Sequence, residues 1–577
     1  MQWFHLIHLK GLSSQGIKYL NRLQRLKKIG QPLIIILDKL RIFSIIVPSL
    51  NFVLRKLKIK KQFQRNLNYR LIGKSFKKSK FPKNTSSEKV ILFPFFSGGN
   101  NIFFFMNLVI GYRMAKKGYR CVYMVCDKAV PVCNSERAHK TRESDSYLCY
   151  NCSQPYKYLK RMTHAEILYI SEYNHAEDSK IAMEETTGLN DLNSLLNYHF
   201  DSIPIGKLAE KSVMRYFFIG KLEDNEKTRL VYQKFIKSII TIHLSLKHLI
   251  QEQPEIKPES IMLYNGTLSL EGYYRLWAEQ HSINYITQET YIGQDSWIYK
   301  KNDEVMKLRW DKEWDEFQKL PFMEEQENQA ISYLNGLSKG KEMYDRLNMD
   351  IEIDYELRDK DYVVLFTNLN FDTAVLGRNP IFDSLKDWIN KIIDFWINNK
   401  PKQLLVIRVH PAEAKLIKPT NDFIGIYLDE IQDKLKGQNI KVYGSKDEVS
   451  SYELIKYMKA GLVYSSTIGM EIAFNNKPCL IAGDAFYKNE SFVMTPPTKA
   501  NYFDKLKQII GDEEFSFDVK QKDLLKFIHF IYFNRVKRLA GIKIDHKMQS
   551  NEFDFKSVEE FNEKNKVIFD EFEKEIF

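Results

Sequence analysis

The stretch Val90-Ile-Leu-Phe-Pro-Phe-Phe96-Ser-Gly98-Gly99-Asn100-Asn101 decides how the chain is read. Its first seven residues form a short apolar run, the pattern of a strand buried on both faces. Ser97 to Asn101 make a tight polar loop, and Ile102 to Lys117 read as a helix that ends at Gly118. Cys121 to Cys126 is the next strand. Strand, loop, helix and strand in this order build parallel sheets.

The same texture continues outward. Ile167 to Ile170, Ser260 to Tyr264 and Tyr285 to Gln288 are further strands, with a long helix over Asn225 to Gln251. Between Lys339 and Asp361 the sequence is charged and aperiodic, which predicts a linker. A second array follows, with strands at Tyr362 to Thr367, Gln403 to Val409, Ile440 to Tyr443, Gly461 to Tyr464 and Pro478 to Ile481. Its helices are Phe382 to Asn398, Asp422 to Lys436, Ser451 to Lys459 and Thr467 to Asn475. The predicted fold is α/β: two Rossmann-like, doubly wound domains facing a cleft, over residues 85–345 and 355–512. A basic amphipathic arm (1–84) precedes them and a helical tail (513–577) follows. Ligands of such sheets sit at the carboxyl ends of the strands.

Composition fits this plan. A chain of 577 residues allows two to four domains, and 44% apolar residues exclude a wholly disordered protein. Six cysteines exclude a disulfide-stapled scaffold. The net charge of +13 is unevenly placed: residues 1–84 hold 20 basic residues and one acid, so the rest of the chain is mildly acidic. That disfavours a nucleic-acid-binding body. The arm alternates apolar runs (Pro32 to Leu37, Ile42 to Leu54) with the basic run Arg55 to Lys61 and Lys74, Lys77, Lys78, Lys80 and Lys83. Asp38, Lys39, Arg41 and Pro48 interrupt the apolar runs, so no spanning helix is predicted. The pattern suits an interfacial helix on an anionic membrane surface, each basic residue contributing about 1 kcal/mol. RNA binding is the weaker rival, as the arm has few aromatics spaced for base stacking, and no nucleic-acid partner is expected.

Three segments carry chemistry. In Leu462-Val-Tyr-Ser465-Ser466-Thr467-Ile-Gly469-Met-Glu471 a strand passes through small hydroxyl residues into a helix. Such a turn suits a phosphate, Gly469 would let a ligand approach the backbone, and Glu471 could accept hydrogen bonds from ribose hydroxyls. A helix cap beside a surface acid is the competing reading. In Arg408-Val-His410-Pro411-Ala-Glu413 an apolar strand runs into a His-Pro step, which places Arg408 and His410 near a strand end. Arg can fork a phosphate, and His can donate to it. In the first array, Asn265-Gly266, Glu271 and Glu289 lie at or after strand ends, with the Gly98-Gly99-Asn100 loop beside them. Glu289 is the first candidate for a general base and Asp372 the second. Cys126, Cys133, Cys149 and Cys152 could hold a tetrahedral zinc, but their spacing matches no standard finger, and buried or loop thiols are the leading reading. No Walker loop, dinucleotide fingerprint, nucleophile elbow or HExxH motif is present.

Arg408-Val-His410-Pro411-Ala-Glu413, with Tyr464-Ser-Ser-Thr-Ile-Gly-Met-Glu471 and Lys477-Pro478, resembles the C-terminal half of bacterial capsule and surface-polysaccharide biosynthesis proteins, which are similar to glycosyltransferases of the two-Rossmann-domain (GT-B) type. The stretch Leu365 to Ala374 and the block Asn265 to Glu289 resemble the same group, and the similarity spans about residues 90–506. The resemblance implies an acceptor domain (85–345) and a nucleotide-sugar donor domain (355–512). It implies a transferase that needs no metal for catalysis. Ser465, Ser466, Thr467, Gly469, Arg408 and His410 would hold the donor phosphates, and Glu471 the ribose. Glu289, His410 and Asp372 would act catalytically, and Gly98, Gly99, Asn100, Asn265 and Gly266 would border the acceptor cleft. The expected substrates are a nucleotide-sugar and a glycan or glycolipid acceptor, at the inner face of the plasma membrane. A teichoic-acid-type glycerol-phosphate transferase or a nucleotide-sugar epimerase would use the same fold, and a non-catalytic membrane scaffold is the remaining alternative.

Overall fold

The computed structural model describes Pro82 and residues 89–576, apart from 96–100, most of 137–164, 292–294, 339–356, 373–374, 415–421 and 546–549. The basic arm and the Gly98-Gly99-Asn100 loop therefore lie outside the described residues. Among the described residues no helix is long and apolar enough to cross a membrane.

Six strands of the first sheet come from the first array: β1 (Val90–Phe95), β2 (Arg120–Val125), β3 (Glu166–Tyr169), β4 (Ser260–Leu263), β5 (Asn284–Glu289) and β6 (Ser296–Lys301). The second sheet holds β7 (Tyr362–Phe366), β8 (Leu404–Arg408), β9 (Ile440–Tyr443), β10 (Ala460–Val463) and β11 (Cys479–Ile481). Their spatial orders are β6-β5-β4-β1-β2-β3 and β11-β10-β7-β8-β9. Both are the doubly wound order in which the chain works outward from a central strand and then restarts on its other side. All five strands of the second sheet run parallel, while β6 turns back antiparallel to β5. The predicted α/β class, with two doubly wound arrays of mostly parallel strands, is borne out.

Burial explains why these segments are strands. Every residue of β7 is buried, as are four of the five in β8 and all of β10, so each reads as a continuous apolar run rather than an alternating one. Helices cover both faces. Trp388, Ile392 and Trp396 of one helix (Leu385–Asn399) pack on one side of the second sheet. Leu524, Phe527 and Ile528 from the helix Gln521–His529 pack on the other.

The tail holds more than helices. A two-residue strand, β12 (Lys537–Arg538), pairs antiparallel with β6 and makes the seventh strand of the first sheet. The hairpin β13 (Ile542–Asp545) and β14 (Ser550–Phe553) follows. The last helix (Lys566–Ile576) then lies against the first sheet, where the rings of Phe569 and Phe572 pack at a tilt against Trp297, centroids 5.9 and 5.0 Å away. Arg113 anchors it through Asp570 at 2.9 Å and through Glu573. The chain thus crosses from the first unit to the second and returns, tying the walls of the cleft to each other. Strands this short and charged carry no periodicity to read in a sequence, and they form because β6 leaves an open edge.

Candidate active site

In a doubly wound sheet the crevice opens where the strand order reverses, here between β7 and β10. Asn368 and Asp372 follow β7, and Ser465, Ser466 and Thr467 follow β10. All five line a cavity of about 440 Å³. His410, just beyond β8, and Glu471, on the short helix Ile468–Phe474, join them. Glu289, at the end of β5 in the first sheet, faces the same space. Residues more than a hundred positions apart thus converge on one crevice between the two sheets. The cavity lining is also apolar and aromatic, with Leu334, Leu337, Ile528 and Tyr333, whose ring stacks on Tyr532 at 4.4 Å.

His410 is held in a defined state. Its backbone N–H donates to Thr367 Oγ1 at 2.9 Å, and its Nδ1 accepts the Ala412 N–H at 3.1 Å. With Nδ1 accepting, the remaining proton of the neutral ring sits on Nε2. Burial lowers its pKa to about 4, nearby Asp372 opposes that shift, and Arg408 adds to it. At neutral pH the ring is an uncharged donor.

Glu289 is 8% exposed, and its carboxylate is fixed from several sides. Asn265 Nδ2 donates to Oε2 at 3.0 Å and the Thr290 N–H to Oε1 at 2.9 Å. Burial raises its pKa, while these donors and Tyr264 pull it down. Asn265 also accepts the Thr267 N–H through Oδ1, closing a turn in which Gly266 has φ +71°. Asn265 and Gly266 therefore position the carboxylate and do not line the cavity.

Glu271 lies nearby at 4% exposure and accepts from Asn134. Burial pushes its pKa up to about 7. A folded-state pKa above the unfolded value stabilises the protein below the unfolded pKa, and that gain is lost as pH rises through about 7. At about 1.4 kcal/mol per pKa unit, Glu271→Gln should remove a loss of about 3 kcal/mol between pH 4 and pH 8. Denaturant unfolding at the two pH values checks this, and an unchanged slope would contradict the assignment.

Two further sequence expectations are corrected. Arg408 does not reach the cavity: it is 3% exposed and donates through Nη1 to the Gly444 carbonyl at 2.6 Å, tying β8 to the loop after β9. Arg378 takes the place expected for it, lining the cavity while Nη2 donates to the Met306 carbonyl at 2.6 Å. Arg378 sits in an irregular loop with no strand-end signal, so spacing did not reveal it. Gly469 does not face the cavity either. A Cβ there would lie 2.2 Å from Tyr487 Oη, which donates to the Ser466 carbonyl, so the glycine makes room for a tyrosine that props the turn. Gly469→Ala should cost about 1–3 kcal/mol by overpacking. Thermal unfolding reads it, and an unchanged midpoint would contradict this role.

Glu413, quoted with the His-Pro step, is also structural. Its carboxylate accepts the N–H groups of Ile424 and Gly425, both at 3.0 Å, capping the helix Ile424–Glu430. None of the six cysteines forms a disulfide. Among the described residues no three cysteines bring their sulfurs together as ligands would.

Residues 322–503 match the family model described as capsule polysaccharide biosynthesis protein. The match contains the Arg408–Glu413 and Tyr464–Glu471 motifs, and it bears out the resemblance read from them. No curated protein matches the chain. Among solved structures, the chain is similar to the β-Kdo 2,4-transferase KpsC of Thermosulfurimonas dismutans, at TM-score 0.32 and 13% identity over 53% of this chain and 87% of that one. It is also similar to the UDP-GlcNAc 2-epimerase of Neisseria meningitidis bound to UDP-GlcNAc, at TM-score 0.25 and 11% identity over 77% and 99% of the two chains.

Proposed function

We propose that the protein is a glycosyltransferase that moves a sugar from a nucleotide-sugar to a lipid-linked or surface-polysaccharide acceptor. The observation that carries this reading is the single cavity in which Glu289 of the first sheet faces Asp372, Arg378, His410, Ser465–Thr467 and Glu471 of the second unit. The donor phosphates sit against the Ser465-Ser466-Thr467 turn, with Arg378 supplying the positive charge and His410 Nε2–H a neutral donor. Glu471 accepts from the ribose hydroxyls. The apolar part of the lining, with its stacked Tyr333 and Tyr532, suits a planar base.

In the reaction, an acceptor hydroxyl attacks the anomeric carbon while the bond from that carbon to the phosphate oxygen breaks. The hydroxyl proton passes to Glu289, whose raised pKa makes it a stronger base than an ordinary glutamate. The nucleotide leaves with the bonding pair, and its new charge falls on Arg378, His410 and the turn. Asp372 is the second candidate for the base, being exposed and beside His410. We propose that no metal is needed, since the cavity itself offers a cation and several donors to the leaving group.

The deciding experiment incubates the purified protein with a panel of nucleotide-sugars and acceptor glycans. Release of nucleotide coupled to a lengthened glycan supports transfer. Epimerised donor without transfer, incorporation of glycerol phosphate, or no turnover with any donor would replace this reading.

We further propose that residues 1–84 hold the enzyme to the anionic inner face of the plasma membrane. The full chain should co-sediment with phosphatidylserine vesicles at 0.05 M salt and be largely released at 0.5 M, where the screening length shrinks to a few ångströms, about 4 Å. Equal binding to neutral vesicles would contradict an electrostatic arm.

A further inference from the structure

Outside the cavity, two helices of the first unit bring together four side chains that the reaction does not use. His175 precedes the helix Ala176–Thr187, and Asp178 lies in its first turn. His248 and Glu252 are four residues apart at the end of the long helix Glu226–Glu252, so both face the same way. None of the four lines the cavity. Asp178 is 3% exposed, and its Oδ2 lies 3.4 Å from His248 Nδ1. His175 Nε2 lies 3.2 Å from Glu252 Oε1. One ligand atom each from His175, Asp178 and His248 falls within 4.8 Å of the others.

We propose that His175, Asp178 and His248 form a binding site for a divalent cation of the zinc type, with the Glu252 carboxylate beside His175. Ligand atoms about 2.0–2.1 Å from a tetrahedral zinc stand about 3.3 Å apart, which is the spacing of Asp178 Oδ2 and His248 Nδ1, at 3.4 Å. Two imidazoles with carboxylates favour zinc, cobalt or nickel over magnesium or calcium. His248 Nδ1 also lies 3.1 Å from the Tyr173 carbonyl oxygen, so two oxygens converge on one ring nitrogen. On binding, the proton at that nitrogen is released to solvent and the cation takes its place, with the Tyr173 carbonyl available as a further oxygen ligand. Asp178 Oδ2 also accepts the His175 backbone N–H at 2.7 Å, which fixes the carboxylate before the cation arrives.

One movement is required. The rings of His175 and His248 stack at 4.0 Å and 11°, and parallel rings do not point their nitrogens at a common ion. The His175 side chain is 47% exposed and has room to turn. The 3₁₀ turn Ile170–Tyr173 links this site to β3, the edge strand of the first sheet. A bound cation would therefore pin the end of that edge to the long helix.

The test uses the full chain freed of metal by a chelator, then titrated with zinc chloride by calorimetry and with cobalt(II) by absorption. Cobalt tells this site apart from any uptake by the cysteines near residues 126–152, because thiolate ligands add a strong near-ultraviolet charge-transfer band. We expect one site that shows visible cobalt bands without the thiolate band. His175→Ala and His248→Ala should each weaken it at least tenfold, and zinc should raise the thermal midpoint of the wild type but not of His175→Ala. His175 lies at the surface, so its replacement leaves the fold intact, which circular dichroism verifies. The proposal is overturned if both variants bind zinc like the wild type, if every bound cobalt shows thiolate character, or if no zinc binds at micromolar concentration.

Discussion

Glu289→Gln is expected to lower kcat for sugar transfer by about 10²–10⁴, the usual worth of a positioned general base. The substitution keeps the shape of the side chain, and the glutamine carbonyl can still accept from Asn265. Donor affinity should therefore change little, since the lost function is proton abstraction from the acceptor. Because burial holds the Glu289 pKa above the ordinary value of about 4.3, the wild-type rate should fall on the acid side with an apparent pKa above that value. The base must be ionised, so activity rises with pH through this limb. Steady-state kinetics between pH 4 and 8 measure both effects. If the variant keeps its rate while Asp372→Asn loses it, the base is Asp372.

His410→Ala is the second large effect. Removing one preorganised donor to a developing oxyanion costs about 10²–10³ in kcat. His410→Gln should recover part of this, because the amide nitrogen can donate where Nε2–H does. The pKa of about 4 sharpens the prediction. The ring stays neutral from pH 5 upward, so its loss should lower the whole profile without moving the acid limb that Glu289 sets. A limb near pH 6.5 that disappears in His410→Ala would show that the histidine works charged, and would contradict its role as a neutral donor.

These two residues also show what a sequence can carry. His410 was visible because a strongly apolar strand runs straight into a His-Pro step, and in a doubly wound sheet strand ends border the ligand. Glu289 was visible for the same reason. The turn 465–467 was legible as a change from apolar to small hydroxyl residues. Arg408 occupied an equally promising place, yet its Nη1 donates to the Gly444 carbonyl and its side chain does not line the cavity. Strand-end position says where a residue is, and not which way its side chain points. Gly469 misled differently: the partner that needs its missing Cβ is Tyr487, eighteen residues on, and nothing local announces that contact.

What the sequence hid is mostly long-range. Arg378 lies in a loop without periodicity and reaches the cavity only because the second unit folds around it. The return of the tail to the first sheet through β12 and the helix Lys566–Ile576 joins positions more than two hundred residues apart, on a two-residue strand too short to show a pattern. The cluster at His175 and His248 is of the same kind. Within each helix the spacing is ordinary, and only the packing of the two helices brings the four side chains together.

The most direct test of the whole account is a crystal structure of the protein with a nucleoside diphosphate or the nucleotide released in the donor assay. Phosphate oxygens are expected within hydrogen-bond distance of Ser466 or Thr467, with a guanidinium nitrogen of Arg378 or Nε2 of His410 beside them and the ribose at Glu471. A nucleotide bound elsewhere, with this crevice filled only by solvent, would contradict it.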